Sequence, residues 1–70
     1  MVFEELKIKE DFIKLDSALK FSSLVPTGGI AKMVILDGLV LVNGEVCTMR
    51  GKKLHKGDKV EFDGKGFKII

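Results

Sequence analysis

The residues of this chain able to do chemistry by type and spacing are seven cations and one pair of glycines. Arg50, Lys52 and Lys53, followed closely by His55 and Lys56, form the densest basic run. Such side chains neutralise phosphates and release counterions, which gives affinity without reading base edges. Lys14, Lys20 and Lys32 lie in two other segments, so a folded chain could gather one basic patch from three places. Thr27-Gly28-Gly29 opens a predicted helix with two residues that lack side-chain bulk. A phosphate could approach the free first-turn amides there and meet the positive end of the helix dipole, with Lys32 one turn further in. Arginine offers phosphate a planar fork of donors, so Arg50 is the strongest single candidate.

Other chemistries find little support. Cys47 is the one cysteine and His55 the one histidine, so neither a disulfide nor a zinc site can be built from them alone. They flank the basic run with no nucleophile signature around either. The expectation is a protein that is not an enzyme and uses no cofactor or metal, since so small a body leaves little room for a preformed pocket. Of the five phenylalanines, Phe3, Phe12, Phe62 and Phe67 fit core-facing positions and Phe21 a partly exposed one. Without Trp or Tyr, binding of single strands by stacking is not expected, and recognition of a folded RNA by shape and phosphate geometry fits better.

Seventy residues with 46% apolar content bound the answer to one domain, 1–70, with a single small core. No signal peptide and no long apolar run is present, which predicts a cytoplasmic monomer without membrane attachment. The net charge of +2 is unevenly spread: residues 1–16 sum to −2, residues 17–56 to +4, and residues 57–70 balance. A basic middle on an otherwise neutral body is the distribution of a local binding face.

The elements that must position these residues can be read in order. Residues 1–9 alternate weakly around Phe3 and Ile8 and predict an edge strand. Apolar spacing then predicts a helix over residues 14–22, with Asp16 in its first turn and Lys20 in its last, as the dipole favours. Pro26 stops any continuation, and Thr27 is a good N-cap for a second helix that buries Ile30, Ala31, Val34 and Ile35. Gly38 is its predicted left-handed stop. Residues 39–42 form an apolar strand, Asn43-Gly44 a hairpin turn, and residues 45–48 the return strand. Residues 49–56 are a basic loop anchored by Leu54, and two further strands, 59–62 and 65–70, follow turns at Gly57-Asp58 and Asp63-Gly64. The last strand is expected near the first. The fold class is α+β, two short helices packed on a small, mainly antiparallel, twisted sheet.

The order of these motifs resembles the S-four-type RNA-binding domain, named after the small-subunit ribosomal protein. A helix with KLD, a helix with AK, then DGLVLVNGE, a basic loop and GDKVEF carry the resemblance over residues 12–62. Strands at both ends make the chain similar to small stand-alone bacterial members described as YaaA-like or YbcJ-like. The resemblance implies the helix-turn-helix and hairpin core called the αL motif, and binding of ribosomal or transfer RNA, with a ribosomal particle as an implied partner. By position, Lys14 stands for the usual Arg of an Arg-Leu-Asp motif and Asp16 for its Asp. Thr27 matches the Ser that starts the second helix, and Ala31-Lys32 the Ala followed by a basic residue. Gly28 stands where many members carry an arginine, so that contact is missing. The competing reading is a protein-interaction module that docks an acidic partner on the same basic face. Val25, Met33, Leu36 and Met49, if exposed together, would favour it.

Overall fold

In the computed structural model, residues 3–70 are described, so the first two residues of the predicted edge strand lie outside the described residues. The elements run β1 (Phe3–Leu6), β2 (Ile13–Lys14), α1 (Leu15–Phe21), α2 (Gly28–Leu36), β3 (Val40–Val42), β4 (Glu45–Val46), β5 (Lys53–Leu54), β6 (Lys59–Phe62) and β7 (Lys65–Ile69). Five strands make one sheet in the order β1-β7-β6-β3-β4, and β2 and β5 form a separate two-stranded ribbon. All pairings are antiparallel except β1 with β7, where Phe3 to Leu6 run parallel to Gly66 to Ile69. The first and last strands are neighbours, as expected, and the fold is α+β with a mainly antiparallel sheet.

The turns follow from local chemistry. Asn43 and Gly44 both adopt positive φ, 52° and 85°, and Asp63 and Gly64 do the same at 53° and 73°. Two positive-φ residues in a row make the primed turns whose twist matches that of paired strands. At the end of α2, Gly38 takes φ 76°. Its amide donates to the Ile35 carbonyl at 3.1 Å and that of Leu39 to the Val34 carbonyl at 3.1 Å. These two bonds are the Schellman stop, which consumes carbonyls the helix would otherwise leave unpaired.

The core joins both helices to one face of the sheet. Leu15, Ala18 and Leu19 of α1 and Ala31 and Ile35 of α2 are buried against Val40, Val42, Val60, Phe67 and Ile69, with Val25 and Leu54 closing the ends. Across the sheet's other face Phe3 lies on Gly66, where an added Cβ would sit 2.7 Å from its ring and 3.0 Å from the Val60 carbonyl oxygen. That glycine is required by close approach rather than by its backbone angles.

Several expectations change. The segment read as a basic loop contains β5, which pairs Lys53 with Lys14 and Leu54 with Ile13. Two residues per strand are too few for any alternation to show in sequence. The helix therefore starts at Leu15 directly after a strand, and the return strand β4 ends at Val46. Ile30 is exposed, while Ala31 and Ile35 of its helix are buried and Val34 packs half-buried against the core. Phe12 is only half-buried. Val25 is buried, which removes it from the exposed apolar set, while Met33, Leu36 and Met49 are exposed.

Candidate nucleic-acid interface

The start of α1 assembles the basic residues. A helix leaves its first amides without internal partners, and lysine at the N-cap has no acceptor to offer them. Here the first two are taken by the basic segment: the Leu15 amide donates to the Lys52 carbonyl at 2.9 Å, and that of Asp16 to the Arg50 carbonyl at 3.1 Å. The third, Ser17, donates to the Asp16 carboxylate at 2.7 Å. Residues 50–52 are thus fastened across the helix start by their backbone, which leaves their side chains free. Arg50 is exposed and Lys52 half-buried, within a turn closed by the Lys52 amide on the Met49 carbonyl at 3.1 Å.

Lys14 and Lys53 sit directly opposite in the β2–β5 ribbon and are both exposed, while their neighbours Ile13 and Leu54 point inward. Because the Leu15 amide bonds across to the Lys52 carbonyl, alternation makes 14 and 53 a non-hydrogen-bonded pair, the kind with the closest side chains. Like charges held this way repel. The Lys53 ammonium also lies 4.8 Å from the centre of the Phe12 ring. Lys14, Arg50, Lys52 and Lys53 are therefore one cluster built on one helix start.

The other candidates stand apart from it to different degrees. Lys20 is exposed near the far end of α1, roughly 8 Å along the axis from Leu15 at 1.5 Å per residue. At the start of α2, Thr27 caps through its hydroxyl, which accepts from the Ile30 amide at 3.2 Å, and its carbonyl accepts from Ala31 at 3.1 Å. Gly28 and Gly29 precede the capped amides and are exposed; an added Cβ at Gly28 meets nothing within 4 Å. Lys32 is exposed one turn in. α2 packs on α1, but among the described residues no hydrogen bond outside the regular elements joins it to residues 50–56. Asp16 is half-buried, and its carboxylate accepts from the Ser17 amide within its own helix turn.

Sequence reasoning missed a side-chain latch behind the cluster. The Asn43 amide donates to Asp58 at 3.0 Å, its carbonyl oxygen accepts from the Lys59 amide at 3.0 Å, and the other Asp58 oxygen accepts from the His55 amide at 2.8 Å. Partial burial pushes the Asp58 carboxyl up, but the His55 and Asn43 hydrogen bonds and the nearby His55 and Lys52 charges outweigh it and hold it below the ordinary value. The latch ties the Asn-Gly hairpin to residues 55–59, which carry His55 and the exposed Lys56. Asn43 and Asp58 each read as turn residues, and nothing local announces a contact fifteen positions apart. His55 turns its ring toward Phe12, at 6.4 Å between centres, and the Cys47 thiol faces the Met49 carbonyl. Among the described residues no group of three or more His, Cys, Asp or Glu is placed to hold a metal ion.

Helix-turn-helix, hairpin and end strands around a basic helix start can be set beside known proteins. The family described as "S4 domain" matches residues 6–70. The chain belongs to the S4 domain family. It is also 38% identical over 66 residues to a protein of Bacillus subtilis (strain 168) named "Probable ribosome maturation protein RlbA", covering 93% of each chain. The family model reaches from the end of β1 through β7, so it includes the β2–β5 ribbon as well as the helices. No helix among the described residues of this S4 domain is long and apolar enough to cross a membrane.

Proposed function

We propose that residues 1–70 act as one S4-type RNA-binding domain, a cytoplasmic monomer that grips the backbone of a structured RNA in a ribosomal or transfer-RNA context. The observation that carries this reading is the fastening of residues 50–52 across the start of α1, which clusters Arg50, Lys52, Lys53 and Lys14. Membership of the S4 family and a relative named for ribosome maturation support it. Lys20, Lys56, Lys32 and the open amides of Thr27-Gly28-Gly29 extend the face, and Asp16 positions it. Phosphate contacts supply the affinity, and no chemical step is involved.

The test is a titration of an RNA hairpin at several salt concentrations. Changing Arg50, Lys52 and Lys53 together to Ala should weaken binding to every hairpin sequence and flatten the salt slope by about one for each phosphate no longer neutralised. An unchanged slope would remove the cluster from the interface. A second reading, docking of an acidic protein partner, is favoured by the exposed Met33, Leu36 and Met49. Capture from nuclease-treated lysate separates the two, because a protein partner stays when RNA is destroyed.

A further inference from the structure

Beside the basic cluster lies an open groove of about 500 Å³, between the chain leaving β1, the approach to β2 and one side of α1. Phe12 and Phe21 both line it, together with Ile13. Phe21 is 65% exposed, an aromatic side chain that the core does not use. Among the lining side chains Lys7, Lys9 and Lys14 stand against Glu10, so the lining itself is positive, and Ser17 is its one uncharged polar side chain. Lys14 belongs to the groove and to the cluster at once, and the Lys53 ammonium over Phe12 extends the positive charge past the groove's end.

We propose that this groove takes one unpaired nucleotide of the bound RNA, its base stacked on Phe21 beside Phe12 and its phosphate on Lys14. The proposal rests on the RNA-binding reading and adds to it a site for a single-stranded element, which the lack of Trp and Tyr argued against and the exposed Phe21 supplies. Three features of the groove favour this occupant. Its volume lies in the range of about 300 to 1,000 Å³ that holds small planar ligands. Aromatic faces bind any base, because every base has a π-face, while the surrounding lysines match the charge of the adjoining backbone. Continuity through Lys14 places a nucleotide in the groove next to the phosphates gripped by the cluster. A hydroxyl at Ser17 can donate or accept, so this site would tolerate more than one base.

The experiment uses the full chain and two probes: an RNA hairpin with a single-stranded adenosine arm, and the same hairpin with an abasic arm of equal charge. Stacking should make the adenosine arm bind about 5- to 50-fold tighter than the abasic one, with ring-proton shifts at Phe21. Phe21→Ala and Phe21→Leu should both erase that difference, since leucine keeps bulk but no π-face, and Phe21→Tyr should keep it. Phe21 is exposed, so these variants leave the core intact. Equal binding of the two arms by the wild type, or a difference that survives in Phe21→Leu, overturns the groove assignment. In either case a blunt hairpin still weakened by the Arg50, Lys52 and Lys53 changes shows that the phosphate face stands without the groove. Loss of that dependence removes the cluster from the interface, and failure of the wild type to bind either hairpin removes the RNA reading itself.

Discussion

Removing the Asn43 side chain tests whether the latch, rather than the hairpin alone, holds the basic segment in place. Asn43→Gly keeps the positive-φ backbone and deletes two hydrogen bonds of 3.0 Å each, to Asp58 and from the Lys59 amide. Each such bond contributes about 0.5 to 1.5 kcal/mol, and these are solvent-exposed, so a loss of about 1 to 2 kcal/mol is expected. Asn43→Ala loses the same bonds and, unlike glycine, keeps a Cβ at φ 52° without the short polar side chain that lets asparagine tolerate it, which adds roughly 1 kcal/mol or more. Urea unfolding of wild type and both variants should therefore rank wild type above glycine above alanine, with unchanged m-values. A double cycle with Asp58→Ala should show the two changes to be less than additive, since they share one bond. The acid limb carries a further signature. Asp58 titrates below its ordinary value in the folded chain, so its stabilising contribution is present above the unfolded value and is lost as pH falls through the lowered one. In Asp58→Asn that part of the acid dependence should disappear. An Asn43→Ala protein that unfolds at the wild-type urea midpoint would refute the latch, and additivity with Asp58→Ala would refute its connection to residue 58.

Gly66→Ala should destabilise by roughly 1 to 3 kcal/mol, read from the thermal midpoint, because its Cβ collides with the Phe3 ring and the Val60 carbonyl. A paired Phe3→Ala, Gly66→Ala protein should recover part of the ring's share, and no loss in the single variant would show that β1 is held differently. Lys14→Gln should raise the midpoint by a few degrees at low salt and not at high salt, as relief of repulsion from Lys53 requires, while weakening RNA binding. Gly28→Asp meets open space and places a carboxylate where the α2 dipole favours it, so stability should hold while hairpin affinity falls. Unchanged affinity would take the start of α2 out of the interface.

Much of this fold is legible because its signals are local. The Asn43-Gly44 and Asp63-Gly64 turns, the Thr27 cap and the Gly38 stop each depend on one or two residues whose backbone or side chain can do little else. The spacing of Leu15, Ala18 and Leu19 marks the buried face of α1. What stayed hidden depends on partners far away in the chain. The β2–β5 ribbon is two residues wide, and only the folded chain shows Leu54 under Ile13. Ile30 carries the same apolar character as core residues, and its exposure depends on how α2 rotates against the sheet. For the site, residue types pointed to the cations, but their clustering rests on the Lys52 and Arg50 carbonyls, which have no sequence signature.

That carbonyl capping couples the site to the fold. With Lys14 at the N-cap, α1 has no side-chain acceptor there and takes its first two from the basic segment, so helix start and cluster form together. The opposed Lys14 and Lys53 work against this arrangement, though an exposed like-charge pair costs only a few tenths of a kcal/mol to about 1 kcal/mol. Beneath them Leu54 is fully buried, and a buried leucine contributes about 1.5 to 3 kcal/mol. The apolar side of the ribbon therefore outweighs the charged side, and the backbones of Lys14 and Lys53 are held in register without an anion. A phosphate arriving between them replaces a repulsion by two attractions in a frame already formed. The ordering that binding would otherwise require of the two lysine backbones is completed during folding. On these grounds a residue in the anchor, such as Leu54, should matter to RNA affinity through geometry although it carries no charge and touches no ligand.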